Sequence, residues 1–334
     1  MEALVHVTRG DIIEAVHYGD IAVCDVTGKL LGSVGDPSRR IYWRSSAKPI
    51  QALPVVYSGA ADRFGFTAKE LSVCCASHCG SAEHVDTVRG ILAKIGLDEA
   101  ALQCGTHVPG DPQQRQWLAA NNRDPLPVMN NCSGKHAGKL ASTVAMGGDV
   151  ERYLELDSPV QQAILRDMSV LSGVAEQDMV ISTDGCSAPT HGFGLREMAT
   201  SFARLCWPDD MPTRIQSSAP RIIAAMAAEP VMVSGRGSFN SELLAAFQGR
   251  VVAKGGAEGL MVLGLTARGI GIAVRSRDGS ARGQSVVVLE ILDQLGALDD
   301  EARQALDRFI KPQLRNCRDD VIGHICAAGF RLGA

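Results

Sequence analysis

Stretches with the pattern of β-strands lie at both ends of this chain, while the long middle has the pattern of helices. Residues 3–34 alternate runs rich in β-branched residues, such as LVHVTRG, IIEAVHYGD and IAVCDVTGK, with turns marked by Gly and Asp. Residues 259–279 have the pattern of a hairpin. This arrangement favours one antiparallel sheet built from the strands of both termini, with helices between them. We therefore predict an α+β protein of the αβα type.

Several segments carry clear helix signals. A helix is predicted to begin at about Ser45, and Thr67 with Glu70 has the spacing of a capping box. The segment 158–173 starts with Ser-Pro and ends in Gly, which is typical of a complete helix from N-cap to stop. We expect residues 1–334 to form a single domain, which could carry a helical lobe within about 45–230.

Composition narrows the function classes. The net charge of −4 gives no electrostatic reason to expect nucleic acid or an anionic membrane as a partner. No run approaches the roughly 18 apolar residues that a membrane helix needs, and no basic segment followed by an apolar one marks a secretory signal. We therefore predict a cytoplasmic protein whose ten cysteines are reduced, serving as packing, metal or catalytic groups.

The segment RSSAKPIQ places Ser45 three residues before Lys48. At a helix start this spacing puts both side chains on one face, where a partly desolvated lysine could remove the proton of the hydroxyl. The alternative is an N-cap serine followed by a surface lysine. A later AKGGAEG segment supplies Lys254, and the pair of motifs has the order of the Ser-x-x-Lys and Lys-Thr-Gly motifs of serine β-lactamases.

Two segments rich in cysteine raise the question of a metal. In CCASHCGSAEH, residues 74–84, the thiols and imidazoles could hold zinc, could pack in the core, or could flank a strand that delivers Ser77 into a site. The segment CSGKH, residues 132–136, lacks the spacing of a phosphate loop. Its Cys132 and the Cys186 of STDGCSAPTHG lie in separate Gly-rich loops that could meet around a soft divalent metal.

Taken together, five motifs resemble the rhizobial-type L-asparaginase family, also called the asparaginase II family. The resemblance spans roughly residues 5–330, and its motifs are RSSAKPIQALP, CASHCGSAEHV, NNCSGKHAGKLA, STDGCSAPTHG and AKGGAEG. The family is related in fold to serine β-lactamases and glutaminases, so the resemblance implies an αβα sandwich. It also implies hydrolysis of L-asparagine to L-aspartate and ammonia.

The resemblance implies two serine–lysine pairs as the catalytic groups. One pair falls on Ser45 with Lys48, and the other on Ser77 with Lys254. In this scheme Ser45 attacks the side-chain amide, an acyl-enzyme forms, and water releases aspartate. The α-carboxylate of the substrate needs a cation, for which Arg44 is the candidate; the alternative for Arg44 is a surface position.

The resemblance also implies one zinc ion per chain, which supports substrate binding. Its ligands fall on Cys132, Lys135 and Cys186, with His136 and Asp184 around the metal and the substrate. A homodimer is expected from the resemblance.

Three other functions stay open at this stage. A glutaminase would need a pocket that accepts one more methylene group, a difference worth only about 1–3 kcal/mol of binding free energy. A β-lactamase-like hydrolase shares the Ser-x-x-Lys logic. A zinc-binding protein without enzymatic activity would keep the cysteines, but it would have no use for two serine–lysine pairs.

Overall fold

A computed structural model describes residues 2–333. The strands in this range are β1 (Glu2–Arg9), β2 (Ile12–Asp25), β3 (Leu30–Val34), β4 (Arg40–Tyr42), β5 (Val180–Thr183), β6 (Pro189–Gly194), β7 (Val251–Gly255), β8 (Leu260–Leu265), β9 (Ile270–Ser276), β10 (Gln313–Arg315) and β11 (Val321–Ala327). The α-helices are α1 (Lys48–Gln51), α2 (Leu53–Tyr57), α3 (Ala60–Arg63), α4 (Ala68–Cys74), α5 (Ala82–Lys94), α6 (Pro112–Ala120), α7 (Ser133–Ala145), α8 (Pro159–Ser172), α9 (Leu195–Cys206), α10 (Thr213–Ala228), α11 (Val231–Ser234), α12 (Phe239–Phe247), α13 (Gln284–Gln294), α14 (Asp300–Ala305) and α15 (Asp307–Ile310).

The main sheet joins the two ends of the chain. Its strand order is β10-β11-β1-β2-β9-β8-β7, with β3 added beside β2, and all of its pairs are antiparallel. Strand β11 pairs with β1, where Val5 lies opposite Ala327, and β9 pairs with β2. The prediction of one antiparallel sheet from N- and C-terminal strands is confirmed.

Helices cover both faces of this sheet. Helix α9 lies against Gly271 of β9 so closely that an added Cβ would stand 1.8 Å from the Ala199 carbonyl oxygen. On the same strand Val274 points to the opposite face, because side chains alternate along a strand. Val274 shares a small cavity there with Val287 of α13. The layers are therefore helix, sheet and helix, as predicted.

The sequence runs IIEAVHYGD and IAVCDVTGK were expected to be separated by a turn at Gly19-Asp20. The structure has no turn there, so this prediction was wrong. Residues 12–25 form one long strand because the buried Asp20 carboxylate has partners within the fold. Arg277 donates two hydrogen bonds to it, at 2.9 and 2.5 Å, and the Asp36 backbone N–H donates a third at 2.8 Å. An aspartate with its acceptors occupied does not require the solvent exposure of a turn.

The helix signals at α4 and α8 are confirmed, whereas the helix predicted from Ser45 is interrupted. Thr67 and Glu70 form the capping box, and the Ser158 hydroxyl accepts a hydrogen bond from the third residue of α8. Residues 44–47 instead form a 3-10 helix that continues into the short helices α1 and α2. Two prolines in this stretch remove donors from a regular helix.

Helices α1 to α12 and a small sheet of β4, β6 and β5 fill the chain between the two groups of long strands. Whether this region counts as a lobe of a single domain stays a prediction. Across residues 2–333, none of the helices has the length and apolar character needed to cross a membrane.

Candidate active site

Seven of the ten predicted site residues line one cavity of about 550 Å³. They are Arg44, Ser45, Ser77, Cys132, Asp184, Cys186 and Lys254. The remaining three, Lys48, Lys135 and His136, are buried behind its wall. The fold thus brings together motifs that are dispersed along the chain.

At the floor of this cavity two lysine amines meet one serine hydroxyl. Lys48 Nζ lies 3.0 Å from Ser77 Oγ, and Lys254 Nζ lies 2.9 Å from the same oxygen. Lys48 also donates to the Ala76 carbonyl at 2.5 Å, and Lys254 donates to the Gly255 carbonyl at 2.7 Å. The predicted Ser77–Lys254 pair is formed, and Lys48 joins it.

Three elements place these groups. Lys48 opens α1 directly after the 3-10 helix, Lys254 lies on the edge strand β7, and Ser77 follows α4 in an extended segment. The Ser77 backbone N–H donates to the Val233 carbonyl at 2.9 Å, which ties this segment to α11. The Ser77 hydroxyl is thereby held between a helix start and a strand.

The environment of Lys254 favours the neutral amine. Burial, and secondly the positive charge of Lys48, lower the pKa of Lys254 well below its ordinary value. Burial costs a charged group its hydration, and a second cation nearby adds repulsion. Lys254 can therefore accept a proton at a pH where a surface lysine cannot.

Ser45 lies on the cavity wall but makes no hydrogen bond to Lys48 in residues 2–333. The neighbouring Ser46 hydroxyl is fully buried and has no hydrogen-bond partner in the described chain. An added Cβ at Gly256 would stand 2.7 Å from that hydroxyl oxygen. Ser45, unlike Ser46, is thus open to a ligand in the cavity.

Arg44 and Asp184 form an ion pair on another part of the wall. Arg44 Nε donates to Asp184 Oδ1 at 2.6 Å, and Arg44 has a left-handed backbone with φ of 48°. Burial alone would raise the pKa of Asp184, but the charges of Lys135 and Arg44 hold it below its usual range. The wall therefore presents a positive and a negative group side by side.

The three predicted metal ligands are neighbours. Lys135 Nζ donates to Cys186 Sγ at 2.9 Å. Interaction with Cys186, and secondly the charges of Lys48 and Lys135, lower the pKa of Cys132, whereas interaction with Cys132 and burial raise the pKa of Cys186. The deprotonated form is therefore favoured at Cys132 over Cys186.

This donor set suits a soft metal ion. Residues 2–333 contain no group of three or more His, Cys, Asp or Glu side chains placed to hold a metal. A metal here would accordingly need the Lys135 amine beside the two thiols. Two sulfur donors and one nitrogen as neighbours fit zinc, which binds these atom types in tetrahedral sites, where three protein ligands leave one position open. This range includes segment 74–84, whose Cys and His side chains form no such group.

His136 was predicted to lie around the metal and the substrate, but it is fully buried and does not line the cavity. Its Nδ1 shares a 2.7 Å hydrogen bond with the Tyr153 hydroxyl, and its Nε2 has no partner within residues 2–333. Burial, followed by the charges of nearby lysines, lowers the pKa of His136. The residue supports the start of α7 and does not line the cavity.

The cavity also contains polar residues that were not among the predicted site residues. The clearest is Asn240 of α12, and Asn130, Thr106, His107 and Gln284 lie on other parts of the wall. Asn130 Oδ1 accepts from the Cys132 backbone N–H at 2.8 Å, which shapes the loop before α7. The Asn-Asn pair before Cys132 was a signal for Asn130, but the single Asn240 had none.

Comparison with known proteins gives a family match and distant structural similarities. The sequence matches the family described as L-asparaginase II over residues 5–327. No protein of curated function matches the chain.

Solved structures similar to the chain include a protein called Mglu in its native form, at 16% identity and a TM-score of 0.45, covering 84% of this chain and 65% of Mglu. A putative β-lactamase from Bacteroides dorei has 13% identity and a TM-score of 0.46, covering 82% and 93% of the two chains. A β-lactamase from Mycobacterium bovis has 11% identity and a TM-score of 0.44, covering 83% and 94%.

The family match extends over nearly the whole chain and includes every residue that lines the cavity. The chain belongs to the L-asparaginase II family.

Proposed function

We propose that this protein is an L-asparagine amidohydrolase that uses a serine nucleophile and two lysines. The observation that carries the proposal is the convergence of Lys48 and Lys254 on Ser77, with Ser45 in the same cavity. A buried, neutral amine next to a hydroxyl is a means of moving a proton without a histidine or a metal-bound water.

Ser45 is the attacking group in this scheme. Ser77 Oγ lies within hydrogen-bond distance of both amines, so its hydroxyl is already engaged by the two lysines. Within residues 2–333 the Ser45 hydroxyl makes no hydrogen bond to a lysine, and Ser45 lines the cavity. Its bond to Lys48 forms when substrate binds, since catalytic hydrogen bonds often tighten only in the complex.

Proton movement follows the contacts of the floor. The neutral Lys254 amine can accept the Ser77 hydroxyl proton while Ser77 Oγ takes a proton from Lys48, so that one proton in total moves from Lys48 to Lys254. Lys48 is then neutral and accepts the Ser45 proton as the oxygen attacks the amide carbon. The proton next goes to the leaving nitrogen, ammonia departs, and water hydrolyses the aspartyl ester by the reverse relay.

The wall matches the backbone end of an amino acid. Arg44 offers a cation to the α-carboxylate, and Asp184 offers an anion to the α-ammonium group. An ion pair that already exists places both charges before the substrate arrives, which reduces the cost of ordering them.

We further propose that zinc is held by Cys132, Lys135 and Cys186. When bound there, the ion would supply positive charge at the cavity wall and aid substrate binding. The hydrogen bond from Lys135 to Cys186 ties α7 to the loop between β5 and β6, where Asp184 lies. A homodimer and a cytoplasmic location stay predictions.

The proposal is tested by ammonia release from L-asparagine and L-glutamine, with aspartate measured as the second product of the first reaction, and by ring opening of a β-lactam followed by its absorbance. We expect turnover of asparagine to exceed that of glutamine, and no β-lactam opening. Equal or faster turnover of glutamine would make the protein a glutaminase, and β-lactam opening without amide hydrolysis would overturn the proposal.

A further inference from the structure

A side chain outside the predicted site residues holds the strand that carries Lys254. Asn240 lies in the first turn of α12, is 8% exposed, and lines the active-site cavity. Its Oδ1 accepts a hydrogen bond from the Gly255 backbone N–H at 2.8 Å. Its Nδ2 donates to the Ala253 carbonyl at 2.9 Å.

These two bonds bracket Lys254 in a specific way. Strand β7 is at the edge of the sheet, and only one side of it pairs with β8. The Gly256 N–H donates to the Leu260 carbonyl at 2.7 Å, so Lys254, two residues earlier, also turns its backbone groups toward β8. Ala253 and Gly255 must then face outward, because backbone groups alternate along a strand. The Asn240 amide takes the place of a peptide in a missing neighbouring strand.

The hydrogen bond between Asn240 and Gly255 also affects the position of the Lys254 amine. Lys254 Nζ donates to the Gly255 carbonyl at 2.7 Å as well as to Ser77 Oγ at 2.9 Å. The amide of Asn240 therefore holds Gly255 by its N–H, and Gly255 holds the lysine amine by its carbonyl. A rotation of Gly255 would move that carbonyl away from Lys254 Nζ.

We propose that Asn240 is a positioning residue for the hydrolytic site, whose side-chain amide fixes Gly255 and thereby the Lys254 amine against Ser77. The inference rests on the proposed function for its kinetic consequence. Its structural part, the orientation of Lys254, does not depend on which amide is hydrolysed.

Two variants separate the bonds of Asn240. Asn240→Leu removes both hydrogen bonds, and kcat for asparagine should fall about 10–100-fold, as for a small misplacement of a catalytic group. KM should change by less than about threefold.

Asn240→Asp keeps the acceptor for the Gly255 N–H but adds a negative charge beside Lys254. A charge of that sign favours the ammonium form, so the rising limb of the pH–kcat profile should move to higher pH, with kcat largely recovered at its alkaline end.

The matched control is Ser238→Ala on the same helix. The Ser238 hydroxyl caps α12 by accepting from the Ser241 N–H, so its loss should cost about 1 kcal/mol of stability. It makes no hydrogen bond to β7 in the described chain, and kcat and the pH profile should stay as in the wild type. A purely structural role for Asn240 predicts that Asn240→Leu behaves like this control.

A second readout does not require turnover. The chain has eight lysines, so ¹³Cε-labelled lysine gives a simple NMR spectrum in which Lys254 is assigned with Lys254→Met. The titration midpoint of Lys254 should move toward the ordinary lysine value in both Asn240 variants and stay unchanged in Ser238→Ala. If the wild type released no ammonia while Lys254 still moved, the proposed function would fail and the positioning role would stand. The inference would be overturned if Asn240→Leu kept the kcat, the pH profile and the Lys254 resonance of the wild type.

Discussion

At the scale of single residues, the site depends on amines that are buried in the wall of a cavity. Lys48 and Lys254 are both almost fully shielded from solvent, and they share the Ser77 oxygen as a partner. Two ammonium groups cannot both stay charged at this separation without a large cost. The arrangement therefore favours one charged and one neutral lysine, which is the state that a proton relay needs.

The first prediction concerns the nucleophile. Ser45→Ala should lower asparagine turnover by about a thousandfold or more, with the fold intact by circular dichroism. Ser46→Ala should retain most of its activity, because it removes a buried hydroxyl that has no partner in residues 2–333. If Ser45→Ala kept a rate near that of the wild type, Ser77 would become the nucleophile.

The second prediction concerns pH. Because burial and Lys48 lower the pKa of Lys254, the neutral base appears as the pH rises through a value well below that of an ordinary lysine. The rate should therefore rise from neutral pH and reach an optimum at roughly 8–9. The measurement is kcat against pH at saturating asparagine, and a maximum below pH 6 would indicate a carboxylate base instead.

The third prediction concerns metal. The purified protein should contain up to about one zinc per chain, and Cys132→Ala or Cys186→Ala should lose it, as measured by elemental analysis. The loss should weaken substrate affinity by about 10–100-fold, as is typical of supporting metal-site changes. Cys206→Ala, which removes a buried thiol elsewhere in the fold, is the control and should keep the metal. Metal-free wild-type protein with full affinity would contradict the zinc proposal.

At the scale of elements, helix α7 shows that burying polar side chains near the site can destabilise the fold. Every residue from Ser133 to Thr143 is buried, including Lys139, whose amine makes one hydrogen bond within residues 2–333, at 3.4 Å to Gln161. Burial, and next the charge of Lys135, lower the pKa of Lys139 well below its ordinary value. A buried amine with one long hydrogen bond destabilises the fold that contains it.

The fourth prediction follows from this helix. Lys139→Met keeps the length of the side chain and removes the buried amine, so the free energy of unfolding should increase by about 1–2 kcal/mol. The increase is measured by denaturant titration, with Lys29→Met as the control at an exposed position, where the change should stay within about 0.5 kcal/mol. A loss of stability in Lys139→Met would mean that the amine has a stronger partner than Gln161.

The elements also show where local sequence signals suffice. Helices α4 and α8 carry their own caps, so they were predictable residue by residue. Strand β2 was not, because the partner that allows Asp20 to stay inside the sheet, Arg277, is distant in sequence. The helix predicted to begin at about Ser45 is also different in the structure, because its prolines favour several short helical turns over one regular helix.

At the scale of the whole molecule, the sheet built from both termini brings β7 against the first helices of the chain. Ser77 lies 29 residues from Lys48 and 177 residues from Lys254, yet both amines reach its hydroxyl. The resemblance in sequence predicted which residues belong to the site. It did not predict that Lys48 would bond to Ser77, because side-chain contacts depend on packing between elements that no single motif contains.

Asn240 illustrates the same limit. An asparagine in the first turn of a helix has no special pattern, and its role follows only from the edge strand beside it. The sequence could therefore predict the residues of the site that belong to motifs. The residue that orients one of them became visible only in the folded chain.

The central claim is that Ser45 forms an ester with the aspartyl group of the substrate, and one measurement addresses it directly. Wild-type protein and Ser45→Ala are mixed with L-asparagine, quenched in acid during turnover, and analysed by intact-mass and peptide mass spectrometry. We expect the wild type to gain the mass of one aspartyl group, located on the peptide at Ser45, and Ser45→Ala to gain none. An aspartyl adduct on Ser77, or ammonia release by Ser45→Ala at the wild-type rate, would contradict it.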